Sequence, residues 1–316
     1  MADATAVTDG AEHVSLFQRA LAPVRQGLLE TLTGQSTGTP AWVDALADGT
    51  DPGFFAPGSA TWAVHGDKPT LIAGIRALLT QASHPGALAG VHDHSRYRDD
   101  PFGRLAGTIR WIFTVSYGSR EDALAATDWV KRIHQKVKGT YPGPDGVPVQ
   151  YSADDPDLLR WVHLAFTDAF LGAHLVWGTK PIPGGADAYV REWALAGELM
   201  GVAEPPRTHA ELRAQLREYY DAGVLRRDER VDDVVRFLRT PPLPRAVRAS
   251  YPVLFRGAVA SLDDEYRDLL GLARPRGPVI PAAKLVLAAS SVVLGKTSTA
   301  ETAALERLRK LSVVQP

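Results

Sequence analysis

Cysteine is absent from all 316 residues. That excludes disulfides, iron–sulfur clusters, a thiolate-ligated or Cys-x-x-Cys-His-attached haem and a cysteine nucleophile. An excess of either charge is also lacking. Thirty-five basic residues face 36 acidic ones, for a net charge of −1. Nothing therefore argues for nucleic acid or an acidic surface as partner. The first ten residues hold no basic stretch, apolar run or twin arginine, so a cytoplasmic location is expected. Long apolar runs are scarce. Pro278 to Gly295 is apolar apart from Lys284, but it contains Ser290, Ser291 and two prolines. It sits at the short limit for spanning a bilayer, so a buried core helix is the better reading and no membrane span is expected. Sustained strand alternation and internal repeats are missing. So are the motifs Gly-x-Gly-x-x-Gly, Gly-x-Ser-x-Gly, His-Glu-x-x-His and Glu-x-x-His. Gly295-Lys296-Thr297 ends like a phosphate-binding loop, but Ser290 stands where its first glycine belongs.

What remains is helical periodicity. Apolar residues recur at helical spacing in 13–32, 69–83, 101–117, 121–138, 156–177, 186–200, 209–222, 231–238, 262–270, 281–294 and 299–311. Capping boxes are expected at Ser119/Asp122, Thr208/Glu211, Ser261/Asp264 and Ser298/Glu301. Glycine and proline gather in the breaks at 33–40, 140–148, 181–185, 241–244 and 274–278. The pattern predicts an all-α chain forming one multi-helix globular domain. It divides into an N-terminal helical extension (1–60), a core (61–240) and C-terminal helices packed on that core (241–316).

Seven of the nine histidines fall between Trp62 and Gly178. His134 follows Val130 by one helical turn and precedes Val137 by three residues, so its imidazole emerges from an apolar stripe. Lys131 and Lys138 bracket it, and Gly139 reads as the helix stop. A buried imidazole between cations suits iron in an anionic porphyrin. A lone histidine on an apolar stripe is more often a hydrogen-bonded core residue than a ligand, so the local pattern alone favours that reading. On the preceding helix, opened by Asp100-Pro101, Arg104 and Thr108 share a face and Gly107 leaves room beside them.

Several motifs are then met in order. They are Trp62…Gly66, Leu78-Leu79-Thr80-Gln81-Ala82-Ser83-His84-Pro85, Gly90-Val91-His92-Asp93-His94-Ser95 and Asp100-Pro101-x-x-Arg104-Leu105-x-x-Thr108. Arg132-Ile133-His134-x-x-Val137-x-Gly139, Tyr151-Ser152-Ala153 and Leu159-x-Trp161-Val162-His163 follow. The set resembles the oxygenase family of latex clearing protein, the rubber oxygenase, and the MpaB-type enzymes, over roughly Trp62 to Arg217. The resemblance implies an all-helical fold enclosing a b-type haem. His134 matches the axial iron ligand, and Lys131 and Lys138 fall where the rubber oxygenases carry basic residues. Arg104 and Thr108 match the distal arginine and threonine. His163 lies within the family's Trp-Val-His motif and is expected in the pocket. Two departures bear on rubber cleavage itself. Gly107 stands where the rubber oxygenases have a distal lysine, and Gly86-Ala87-Leu88-Ala89-Gly90 offers no counterpart to their acidic base.

The expected function is a haem-b-dependent oxidoreductase, using O2 on an apolar unsaturated or aromatic small molecule. A non-catalytic haem-binding sensor or carrier is the alternative, and a haem-free helical binding protein is a third reading. Elsewhere, His84 with the loop pair His92-x-His94 offers imidazoles to a non-haem metal. His174 shares a helix face with His163, Phe166 and Phe170, and Asp168 on that helix reads as readily as a surface charge as a residue of that face.

Overall fold

The computed structural model describes residues 16–35, 38–95 and 100–314. It is mostly helical, with 68% helix and 4% strand. The chain begins with α1 (Leu16–Thr33), α2 (Ala41–Asp44), a 3-10 turn (Ala45–Ala47), α3 (Ala60–His65), α4 (Thr70–Ala82), α5 (Pro85–His94), α6 (Pro101–Tyr117) and α7 (Arg120–His134). A hairpin of β1 (Lys138–Pro142) and β2 (Pro148–Ser152) follows, then α8 (Pro156–Trp177), α9 (Gly185–Met200), α10 (His209–Asp221) and α11 (Glu229–Arg239). The C-terminal part holds α12 (Arg245–Arg248), α13 (Tyr251–Ser261), α14 (Asp264–Leu269), α15 (Val279–Leu294) and α16 (Thr299–Val314).

The centre is the pair α4 and α8. α4 buries Ile72, Ala73, Ile75, Ala77 and Leu79, and α8 buries Trp161, Leu164, Ala165, Ala169, Phe170, Leu171 and Ala173. Such apolar sequences leave no wet face, so both helices must be enclosed. α13, α9 and α10 pack around them, and one hydrophobic cluster runs from Val43 to Ala304. Arg76 of α4 and Asp168 of α8 form an ion pair inside this core, Nη2 to Oδ2 2.7 Å. Asp168 is therefore not a surface charge, one of the two readings its sequence context allows. It also holds Arg213 of α10 at 3.3 Å, which reaches on to Asp263 at 2.5 Å. The end of α16 is tied down by buried Arg307, which donates to the carbonyls of Leu46 at 2.6 Å and Tyr117 at 2.7 Å.

Helix ends follow the expected chemistry at most sites. Ser119 accepts from the Asp122 amide, Thr208 and Glu211 form a full capping box, and Ser298 accepts from Glu301. Ser261 does not cap. It donates to Ala258 within α13, and Asp263 is the residue before α14. Gly201 ends α9 at φ +105°, a left-handed conformation that a side chain would strain. The largest departure lies after His134. The helix expected through Lys138 stops there, and the next residues pair antiparallel, Lys138 with Ser152 through Pro142 with Pro148. Gly139 is a strand residue and not a helix stop. The Tyr151 ring lies about 3 Å from the place of any Cβ there, so only glycine passes beneath it.

α15 also differs from the fully buried core helix expected. Val279, Ala283, Leu287 and Ser290 face inward, while Leu285 is 72% and Val292 62% exposed. Among the described residues no single helix is long and apolar enough to cross a membrane.

Candidate functional site

α6 and α7 are joined by a two-residue link, Gly118-Ser119, so they lie side by side. From Thr114 to Tyr117 every residue of α6 is buried. From Leu105 to Ile109 every residue keeps some accessible surface, whichever face of the helix it occupies. Neighbours therefore cover the first half of α6 less completely than its end. A Cβ at Gly107 would meet nothing within 4 Å. Arg104 is exposed by area, yet desolvation lowers its pKa. Its Nη1 donates to the Thr108 hydroxyl one turn on, so the two act as a unit. Asp100 does not compete for Arg104. It caps α6 by accepting from the Gly103 amide at 2.9 Å, and Asp99 lies outside the described residues.

His134 closes α7 and is half-buried. Its Nδ1 is buried without a hydrogen-bond partner. A buried polar atom left without a partner is costly, and sites that hold one commonly bind something. Burial pushes the imidazole pKa down, the positive charge of Arg104 adds to that, and Asp154 opposes it. The pair from α6 and the histidine from α7 are thus electrostatic neighbours, and His134 is neutral at neutral pH. A neutral imidazole is the form that coordinates a metal.

The two lysines part company. Lys131 stays on α7, half-buried, one turn before His134. Lys138 begins β1 and is exposed, so the two do not flank His134 along one helix. Its main-chain carbonyl faces His94 Nε2 at 3.0 Å. Its charge helps to hold the Asp154 carboxyl below the usual range, behind the larger effect of the Ser152 hydroxyl. Val137 leaves the expected stripe and packs on Tyr151 and Leu158. His163 lies on α8, buried, with its ring against Gly197 of α9: a Cβ there would sit 2.9 Å from Cε1. Burial lowers its pKa to about 4, and its Nε2 has no partner.

The remaining histidines are engaged elsewhere. His84 caps α5 through Nδ1, and His92 and His94 lie on the last turn of that helix, not on a loop. His92 Nδ1 meets Asp93 at 2.9 Å. No group of three His, Cys, Asp or Glu poised for a metal occurs among the described residues. His174 Nε2 meets the Lys180 carbonyl at 2.9 Å. An open recess of about 440 Å3 on α11, lined by Asp233, Arg236, Phe237 and Thr240, contains none of the expected site residues.

Two groups escaped sequence reasoning. Asp154 is electrostatically coupled to both His134 and Lys138. His65 sits between Ser116 Oγ at 2.7 Å and Tyr189 OH at 3.0 Å, with its pKa lowered to about 3 by burial and by His174. Partners 51 and 124 residues away leave no local signal.

The donor set suits a porphyrin. Its members are a neutral imidazole with an unsatisfied nitrogen, a basic residue one turn away on α7, and on the adjoining α6 an Arg–Thr pair with free space at Gly107. A family model described as ER-bound oxygenase mpaB/B'/Rubber oxygenase, catalytic domain, matches residues 62–291. The match extends well past Arg217, into α15. No curated protein and no solved structure matches the chain.

Proposed function

Because the chain belongs to the mpaB/rubber oxygenase catalytic-domain family, we propose that it is a cytoplasmic haem-b-dependent oxidoreductase, using O2 on an apolar unsaturated or aromatic small molecule. The observation that carries this reading is His134, neutral, with a buried nitrogen that nothing in the protein satisfies, facing the charge of Arg104. In this reading His134 would hold the haem iron, Lys131 and Lys138 would meet its propionates, and His163 would belong to the pocket wall. The haem, when bound, supplies the oxidising chemistry.

The chain's own residues set the conditions. Burial and Arg104 together keep His134 unprotonated, so it is available as a donor without first losing a proton. Arg104 brings a positive charge beside the Thr108 hydroxyl and within reach of the His134 imidazole. By donating to Thr108, it also fixes that hydroxyl's orientation. Gly107 leaves the volume beside this pair to substrate.

The sensor or carrier reading keeps one specific support. α5, where the family's acidic base is sought, buries Gly86, Leu88 and Ala89 and offers no carboxylate before Asp93. Asp93 is already held by His92, Tyr151 and Arg230. Two measurements decide. Purified protein should show a Soret band, and His134→Ala should fold yet retain little haem. Full occupancy with an unchanged spectrum in that variant moves the ligand to another histidine. Steady O2 uptake with a reductant and an alkene or phenol supports the enzyme, and haem binding without uptake supports the carrier.

A further inference from the structure

The outer face of α15 is apolar, exposed and bordered by positive charge. Val279, Ala283, Leu287 and Ser290 occupy the inward stripe. Pro281, Leu285, Ala288 and Val292 recur on the opposite side at helical spacing, and all four are exposed. Ile280, 51% exposed, lies beside them. A single exposed leucine is ordinary, but a whole stripe on one helix is not. Along the chain, the charges flanking it are of one sign. From Leu269 to Ala300 there is no Asp or Glu, although the chain carries 36 in 316 residues. At that frequency this stretch would hold three or four. Arg274 and Arg276 precede the helix, Lys284 flanks the stripe and Lys296 follows it, all exposed.

We propose that α15 is a docking helix that lies in the plane of an anionic bilayer surface. Its apolar stripe enters the headgroup boundary and the four cations meet lipid phosphates and carboxylates. The proposal does not depend on haem. Spanning is excluded by length: 16 residues rise about 24 Å, short of a hydrocarbon core of roughly 30 Å. α15 and α16 would satisfy the composition of a bent span together, at 50°. But α16 is locked into the protein by Arg307, buried and bonded to Leu46 and Tyr117. Only the outer face of α15 is free to meet a membrane. A second copy of the chain is a poor occupant, since a twofold contact sets this cationic segment, without an acid from Leu269 to Ala300, against itself. An anionic leaflet supplies the missing charge, and the long Lys and Arg stems let the stripe sink while the charged heads stay wet.

Co-sedimentation of the full chain with vesicles of phosphatidylcholine, with and without phosphatidylserine, tests this. The protein should pellet with the anionic vesicles and much less with the neutral ones. Leu285→Glu/Val292→Glu should lower partition by more than about tenfold. Lys284→Ala and Lys296→Ala should each lower it about fivefold. All four side chains are exposed, so circular dichroism and melting should be unchanged. Several results would overturn the proposal: no sedimentation, equal binding to both vesicle types, or binding indifferent to Leu285→Glu/Val292→Glu. A dimer seen by light scattering that this double variant dissolves, without vesicle binding, would assign the face to a second copy. Binding that appears only after deletion of residues 2–15 would assign it to that segment.

Discussion

Replacing Asp168 by alanine should be among the most damaging single changes outside the candidate site. Asp168 is 5% and Arg76 4% exposed. Truncation removes the carboxylate and leaves a guanidinium in the core, where its Nε already lacks a partner. One bond survives, because Nη1 donates to the main-chain carbonyl of residue 168, which the substitution keeps. Breaking one side of a buried pair costs about 3–5 kcal/mol, and the surviving bond places this case near the lower end. Arg213 is a useful control. It touches the same carboxylate, but its side chain is 38% exposed. Arg213→Ala should therefore cost no more than about 1 kcal/mol. Removing both charges, as in Arg76→Met/Asp168→Leu, should recover most of the loss, since a hydrophobic pair of similar volume often equals a buried ion pair. Urea denaturation followed by circular dichroism at neutral pH measures all three. A loss below about 1 kcal/mol for Asp168→Ala, or a greater loss for Arg213→Ala, would refute the reasoning.

Stability should fall in mild acid. His65 and His163 are held at about 3 and about 4, against about 6.5 in an unfolded chain. Their contribution is complete above about 6.5 and is lost as pH falls toward 4, because the unfolded state takes up protons first; an unchanged urea midpoint between pH of about 7 and 5 would contradict this. Gly197→Ala should push the His163 ring aside, given the 2.9 Å approach, and lower haem retention while His134 is untouched. Wild-type retention and stability in that variant would show that neither ring position nor pocket wall depends on the glycine. Arg104→Ala should keep the haem spectrum and lower turnover by about 10²–10³; loss of haem or of the fold would instead make Arg104 a structural brace.

Helices were legible where one residue's burial repeats every three or four positions. α6 and α8 begin and end where periodicity and Asp-Pro caps place them. Short helices with weak periodicity, such as α3 and α5, were not. The hairpin was hidden because its strands contain Gly139, Pro142 and Pro148, residues that read as loop. Its pairing is tertiary information, and it is what separates Lys138 from Lys131. Within the candidate site, Arg104, Thr108 and His134 could be picked out because each helix presents its own residues at local spacing. Asp154 could not, since it reaches His134 only after the hairpin has turned back. The burial of Asp168 was open in the sequence for the same reason. A carboxylate on an apolar helix is a surface charge or a buried partner depending on a residue 92 positions away.

The Arg307 anchor carries a consequence for how this protein is made. Its acceptor at Leu46 is 261 residues upstream. At roughly 5–20 residues per second, about 13–52 s pass on the ribosome between the two. Throughout that interval the 45–47 turn and the end of α6 lack the guanidinium that joins them. The carbonyls of Leu46 and Tyr117 take up this donor only once α16 has left the exit tunnel. A chain that stops short of Arg307 would therefore hold every residue of the candidate site but lack the clasp that joins the 45–47 turn to the end of α6.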